Sequence, residues 1–150
     1  MITQTQIQRA NIAAQSLFDR GVSISFLPLA IAQLAHETAG FTSRVMTADN
    51  NLSGIKYIGN SKQKNATAGT RSPEGNYYAK FATIEDWATD YIRILSMGAR
   101  PIDSTSVYDF ANRLKQNNYY TDTVENYTAG LTAWKAKFEN SIDVKKKILA

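Results

Sequence analysis

Between Gly40 and Thr83 the helical period that runs through the rest of the chain stops. Outside that stretch apolar residues recur every three or four positions. Inside it, Asn50-Asn51, Gly54, Gly59-Asn60, Gly69 and Ser72-Pro73-Glu74-Gly75-Asn76 crowd together. Such residues supply positive φ, a fixed φ or local side-chain hydrogen bonds, so this density implies loops and short strands. Pro73-Glu74-Gly75-Asn76 separates 66–70 from 77–81 and predicts a β-hairpin, although the first arm is weakly β-prone. The fold class expected is α+β, mostly α, with a small β-hairpin lobe inserted after the second helix. Two lobes of unequal kind leave a cleft between them, where ligands commonly bind.

The flanking helices follow from spacing and punctuation. Ile7, Ala10, Ala14, Leu17 and Phe18 mark a helix over 5–20 that stops at Gly21. Ser25 can cap a second helix with Pro28 in its first turn, running to Gly40. Helix returns at Thr83, an N-cap candidate, with a wide stripe of Ile84, Trp87, Ala88, Tyr91, Ile92 and Leu95, and Pro101 ends it. A shorter helix over 105–116 carries Val107, Tyr108, Phe110, Ala111 and Leu114. The last begins near Asp122, with Glu125 placed as in a capping box, and keeps Val124, Tyr127, Leu131, Trp134 and Phe138 in register. One domain over 1–142 is expected, with a loosely held basic tail over 143–150 that contains Lys145, Lys146 and Lys147.

With 150 residues, 43% of them hydrophobic, the chain can bury a core without staples, and it has no Cys to make them. The absence of Cys removes disulfides and thiolate zinc sites, and a single His leaves no histidine set, so neither metal nor cofactor is expected. The net charge of +4 suits nucleic acid, an anionic membrane surface or an acidic wall polymer. Scattered rather than clustered Lys and Arg argue against nucleic acid. The longest apolar run, 26–32, falls far short of the ~20 residues of a membrane span, so no membrane insertion is expected. Nothing at the start reads as a signal peptide. Action outside the cytoplasm would then require cell lysis, a phage particle, dedicated secretion or a larger parent chain. A monomer is expected.

On a helical wheel of the second helix, Glu37 sits at the edge of the stripe formed by Leu27, Ile31, Leu34 and Ala35. A carboxyl there loses solvation without losing access, which raises its pKa as a general acid needs. On geometry alone a Glu that caps a neighbouring turn or pairs with an Arg is the preferred reading, because most helical Glu residues do nothing catalytic. His36, the sole His, points away from the stripe and reads as a surface or interface residue.

Four blocks then carry a family resemblance. Ala32-Gln33-Leu34-Ala35-His36-Glu37-Thr38-Ala39-Gly40-Phe41 resembles the catalytic-Glu segment of the glucosaminidase-type peptidoglycan hydrolases, glycoside hydrolase family 73. Asn50-Asn51-Leu52-Ser53-Gly54-Ile55-Lys56 is similar to that family's NNLFGIK signature, with Ser53 in place of Phe. The stretch 78–91 resembles its KF…DY block, and Tyr119-Tyr120-Thr121-Asp122 with Tyr127 resembles its YATD ending. The blocks stand in the family's order and cover most of the domain.

The resemblance implies a lysozyme-like fold and hydrolysis of the β-1,4 bond after N-acetylglucosamine in peptidoglycan glycan strands. It implies Glu37 as general acid, with Asn51, Gly54 and Tyr78 lining the cleft, Asn51 either touching substrate or bracing its loop. It maps an active-site Tyr to Tyr119, with Tyr120 and Tyr127 as alternatives, and for Tyr127 core packing is an equal reading. Glu74 is the only acid between Asp49 and Glu85, and hence the only second carboxylate that lobe offers. A muramidase, a lytic transglycosylase or a non-catalytic cell-wall-binding module would share these features.

Overall fold

The first helix begins one residue earlier than its apolar spacing suggests, because Thr3 builds a reciprocal cap. Its hydroxyl accepts the Gln6 N–H at 3.1 Å while Gln6 Oε1 accepts the Thr3 N–H at 2.7 Å. In this computed structural model, which describes residues 1–59 and 62–146, helix α1 spans Gln4–Asp19. Asn60 of the expected turn and the tail from Lys147 onward lie outside the described residues. Gly21, at φ +96°, closes α1 as expected.

Ser25 does not cap the second helix. A 3-10 turn over Ile24–Phe26 leads into α2, Leu27–Glu37, and Ser25 instead shares a hydrogen bond with Ser23. Helix α2 is the central element, buried continuously from Leu29 to Ala35. It stops at Glu37 rather than Gly40 because Thr38 turns its side chain on the backbone, donating to Leu34 O at 2.7 Å and accepting from Phe41 N at 2.9 Å. Ala39, Gly40 and Phe41 then take positive φ in succession. That reversal feeds a helix the sequence pattern does not reveal, α3 over Arg44–Asp49, capped by Ser43. Six residues are too few to display a period.

The hairpin forms where expected. Strand β1, Ala66–Arg71, pairs antiparallel with β2, Tyr77–Phe81, through Ala66↔Phe81, Thr67↔Lys80 and Ala68↔Ala79, with an irregularity before Arg71↔Tyr77. Residues 55–57 run along the other edge of β2, held by Tyr57 N to Tyr77 O and Ala79 N to Ile55 O, each 2.8 Å. The 51–56 segment is thereby fixed to the lobe.

Helix α4, Ile84–Leu95, starts at the Thr83 cap and buries Trp87, Ala88, Tyr91 and Leu95 as its spacing predicts. Buried Asp90 binds Arg93 at 2.7 Å and Gln63 at 3.3 Å, tying the loop before the hairpin to this helix. Helix α5, Val107–Gln116, is capped by Ser106 and buries Phe110, Ala111 and Leu114, while Tyr108 is exposed rather than in the stripe. Helix α6, Val124–Phe138, is capped by Thr123, whose Oγ accepts from Asn126 N, and not by an Asp122–Glu125 box. Asp122 instead takes the Thr123 N–H and the Asn126 amide.

Asp143 and Lys145, at the start of the expected loose tail, are docked on α1. Asp143 N donates to Asn11 Oδ1 at 2.7 Å and Lys145 N to Gln15 Oε1 at 2.8 Å. Two carboxamides one turn apart on α1 therefore hold the main chain at 143 and 145. Among the described residues no helix is long and apolar enough to cross a membrane.

Candidate active site

Where α2 ends, its last side chain enters the gap between the helical body and the hairpin lobe. Water reaches Glu37 from that gap, yet protein surrounds the carboxyl on most sides. This desolvation raises its pKa, against the lowering effects of the Tyr127 hydroxyl and of His36. Tyr127, on α6, donates to Glu37 Oε1 at 2.8 Å. It is itself buried, with its ring stacked on Tyr120 at 3.8 Å and the edge of His36 4.8 Å away. Burial and the nearby Glu37 carboxylate push the Tyr127 hydroxyl far above its ordinary value, so it stays a donor. Tyr127 is thus both packed in the core and bonded to the acid.

Two cavities of about 400 and 410 Å³ meet at Glu37, and each is also lined by Gly54, Lys56 and Tyr119. Their volumes fall within the roughly 300–1,000 Å³ of ordinary ligand sites. The first extends under the hairpin to Tyr78 and Glu74, the second toward Ile58, Arg93 and Asn118. A carboxyl at the junction of two cavities can act on a bond whose two sides occupy them. Gly54, at φ +66°, carries no side chain into that junction.

The structure brings Glu74 to the same cavity as Glu37. Glu74 occupies the hairpin turn, fully exposed, where backbone and Ser72 hydrogen bonds and Lys56, at 3.3 Å, hold its pKa below the usual value. Lys56 Nζ also lies over the Tyr78 ring, 4.3 Å from its centroid. The two carboxyls are therefore pushed in opposite directions, one toward holding its proton and one toward losing it.

Asn51 lines the hairpin-side cavity, but its amide is committed to backbone. Nδ2 donates to Ile55 O at 2.8 Å and Ala79 O at 2.9 Å, and Oδ1 accepts from Ile55 N at 3.0 Å and Ser53 N at 3.4 Å. Tyr119 sits on the cavity wall, donating to Ser53 O at 3.3 Å, its hydroxyl pushed upward by burial and by Glu37. Tyr120 lines neither cavity. It stands behind Tyr127 and donates to Ala111 O at 2.8 Å.

Three neighbours were not legible as site residues. Ser53, which departs from the resembling signature, is buried and accepts the Trp87 indole N–H at 3.0 Å. His36 is half-buried and packs against Tyr127 and Gly130 of α6. A Cβ on Gly130 would lie 2.7 Å from His36 Cε1. Gln33, one turn before Glu37, is fully buried. The only advance signal for it was its place in the first matched block.

Gly130 gives a direct check on this packing. Ala in mid-helix gains about 1 kcal/mol over Gly, but overpacking costs about 1–3 kcal/mol. Gly130→Ala is expected to lower Tm by roughly 2–4 °C per net kcal/mol lost. By displacing α6, and with it Tyr127, it should also lower kcat roughly tenfold or more. Calorimetry and a turnover assay on the same preparation would read both, and an unchanged kcat would show that Tyr127 tolerates the shift.

A family model for glucosaminidases, described as mannosyl-glycoprotein endo-beta-N-acetylglucosaminidase, matches residues 11–140. No curated protein matches the chain. Three solved structures are similar over most of their length. A chain of a type VI secretion system effector–immunity complex from Pseudomonas protegens is 16% identical with a TM-score of 0.65, covering 90% of this chain and 92% of that one. A peptidoglycan hydrolase from Sphingomonas sp. A1 is 22% identical with a TM-score of 0.63, over 98% and 100%. The catalytic domain of the autolysin Auto from Listeria monocytogenes is 20% identical with a TM-score of 0.58, over 92% and 85%.

Proposed function

The chain belongs to the glucosaminidase family and is a glycoside hydrolase, and from that premise we propose that it cleaves the β-1,4 bond after N-acetylglucosamine in bacterial peptidoglycan, with Glu37 as the general acid. The observation that carries the reading is the position of Glu37, a partly desolvated carboxyl where two cavities meet. A glycan strand laid through both cavities would place its scissile oxygen beside that acid. The likeness in fold to a peptidoglycan hydrolase and to an autolysin supports the choice of polymer. So does a net charge of +4, which favours approach to an acidic wall.

Protonation of the glycosidic oxygen by Glu37 lets the sugar leave through an oxocarbenium-like state. Glu74, kept ionised by backbone and Ser72 hydrogen bonds and by Lys56, is the partner we assign to stabilise that charge or to activate water. Environments that separate two carboxyl pKa values in this way set acid and base roles. Tyr119, on the wall beside Glu37, would stack against the sugar. Asn51 supports the floor.

Purified protein incubated with sacculi, followed by reduction and mass spectrometry of the released ends, tests the reading. New reducing N-acetylglucosamine ends are expected. Reducing muramic or anhydro-muramic ends would instead identify a muramidase or a lytic transglycosylase, and binding without release a wall-binding module. In the same assay Glu74→Gln is expected to lower kcat roughly 100-fold. A loss below about threefold would remove Glu74 from the chemistry and leave assistance by the substrate's own N-acetyl group. The likeness to a chain of an effector–immunity complex supports delivery by a secretion machine and an inhibitory protein partner.

A further inference from the structure

Gln33 lies on α2 four residues before Glu37, on the same helical face and one turn deeper. It is 0% exposed. Its Oε1 accepts the hydroxyl of Tyr91, which is also fully buried. Its Nε2 has no hydrogen-bond partner among the described residues. A buried amide N–H without a partner is rare, and such a group is usually aimed at something that completes it when the site is in use. Burial and Glu37 raise the Tyr119 and Tyr127 hydroxyls, and the nearby Gln33 amide acts on both in the opposite, weaker sense. Three tyrosines from three segments, Tyr91 of α4, Tyr119 before α6 and Tyr127 of α6, thus converge on one carboxamide behind the acid.

A carboxamide has two unlike ends, and here each end faces a defined side. Tyr91 must be the donor to Oε1, which leaves the N–H₂ end to act on Tyr119 and Tyr127. A hydroxyl that faces an N–H donor is left to give its own proton elsewhere. Tyr127 gives its proton to Glu37 Oε1 at 2.8 Å, and Tyr119 gives its proton to Ser53 O at 3.3 Å. With Oε1 occupied as an acceptor, the acid proton of Glu37 belongs on Oε2.

We propose that Gln33 is a positioning residue of the reaction, orienting the Tyr127 and Tyr119 hydroxyls so that Glu37 carries its transferable proton on Oε2. The proposal rests on Glu37 being the general acid. Hydrogen bonds of this kind are often long or poorly aligned in the free enzyme and tighten in the substrate complex, which fits an amide nitrogen without a partner here. Among the described residues the other titratable groups near Glu37 are His36 on its own helix and, across the two cavities, Lys56, Tyr78, Arg93 and Glu74.

Two variants separate positioning from packing. Gln33→Met keeps length and volume but leaves the Tyr91 hydroxyl buried and unpaired, so Gln33→Met/Tyr91→Phe is made beside it, removing both partners together. In the double variant we expect Tm close to wild type, KM within about twofold, and kcat lower by roughly 10- to 100-fold. Freed to rotate, Tyr127 would donate less to Glu37, and the Glu37 carboxyl, followed by ¹³C NMR through a pH titration, should titrate at higher pH than in wild type. That shift should vanish when both changes are repeated in a Tyr127→Phe background, because the path runs through Tyr127. An unchanged Glu37 titration in the folded double variant would overturn the proposal, as would an equal shift without Tyr127. The NMR readout needs no turnover. A wild type that titrates as described but releases no saccharide ends would count against the proposed activity and not against this role.

Discussion

Glu37→Gln is expected to reduce hydrolysis roughly 10³-fold or more, near the upper range for loss of a general acid, while the protein stays folded. Gln matches Glu in shape and its Oε1 can still accept the Tyr127 hydroxyl, so the packing around the end of α2 is retained. What disappears is the proton. The wild-type pH dependence has a defined sign. The folded-state pKa of Glu37 is raised above its unfolded value, so folding binds this proton more tightly. Its contribution to stability is fully present below the unfolded pKa and is lost as pH rises through the folded pKa. Activity needs the protonated form and must fall over that same upper limb. Glu37→Gln cannot ionise, so its Tm at neutral pH should equal or exceed that of the wild type. Saccharide release and thermal melts at several pH values check both halves. Retained activity would move the acid elsewhere, and a large drop in Tm would mean that the carboxylate serves the fold.

Asn51→Ala is expected to act in the opposite way, by removing stability before chemistry. Four hydrogen bonds from a residue 1% exposed join Ser53 and Ile55 of the cleft floor to Ala79 of β2. Truncation leaves buried backbone groups without partners, at about 1–3 kcal/mol each. A total loss of about 3 kcal/mol or more is expected, lowering Tm by roughly 6–12 °C. If Asn51 instead contacts the glycan, the same variant raises KM with little change in Tm. Melting curves paired with KM below the new midpoint distinguish the two. The brace is the expected outcome, because no hydrogen-bonding capacity of the amide is directed into the cavity.

Much of this site was readable from local pattern. The edge position of Glu37 on α2 follows from where apolar residues fall every three or four places. The Pro-Glu-Gly-Asn turn places Glu74 at the tip of the hairpin because those residue types suit the backbone angles of a turn. Thr83 caps α4 for the same local reason. Short elements escaped, α3 among them, since six residues show no period and one Ser cap is weak evidence alone. The ends of α1, α2 and α6 were set by Thr3, Thr38 and Thr123, where several hydroxyl and acidic residues nearby could have served. Only the formed backbone shows which of them reaches a free N–H.

The sequence by itself determined which faces of the helices are apolar, where the β lobe is inserted, and that an acid stands at the edge of the second helix's apolar face. Those properties depend on residues within a turn or two of one another. Tertiary structure decided what each polar side chain does. Tyr127 meets Glu37 across 90 residues and Tyr119 meets Ser53 across 66. Tyr120 turned away to Ala111, His36 settled against Gly130, and Asn51 was spent on its own loop. Periodicity states that a residue is buried or edge-on but carries nothing about its partner, because a hydrogen bond is fixed by distance and angle between groups that only folding brings together.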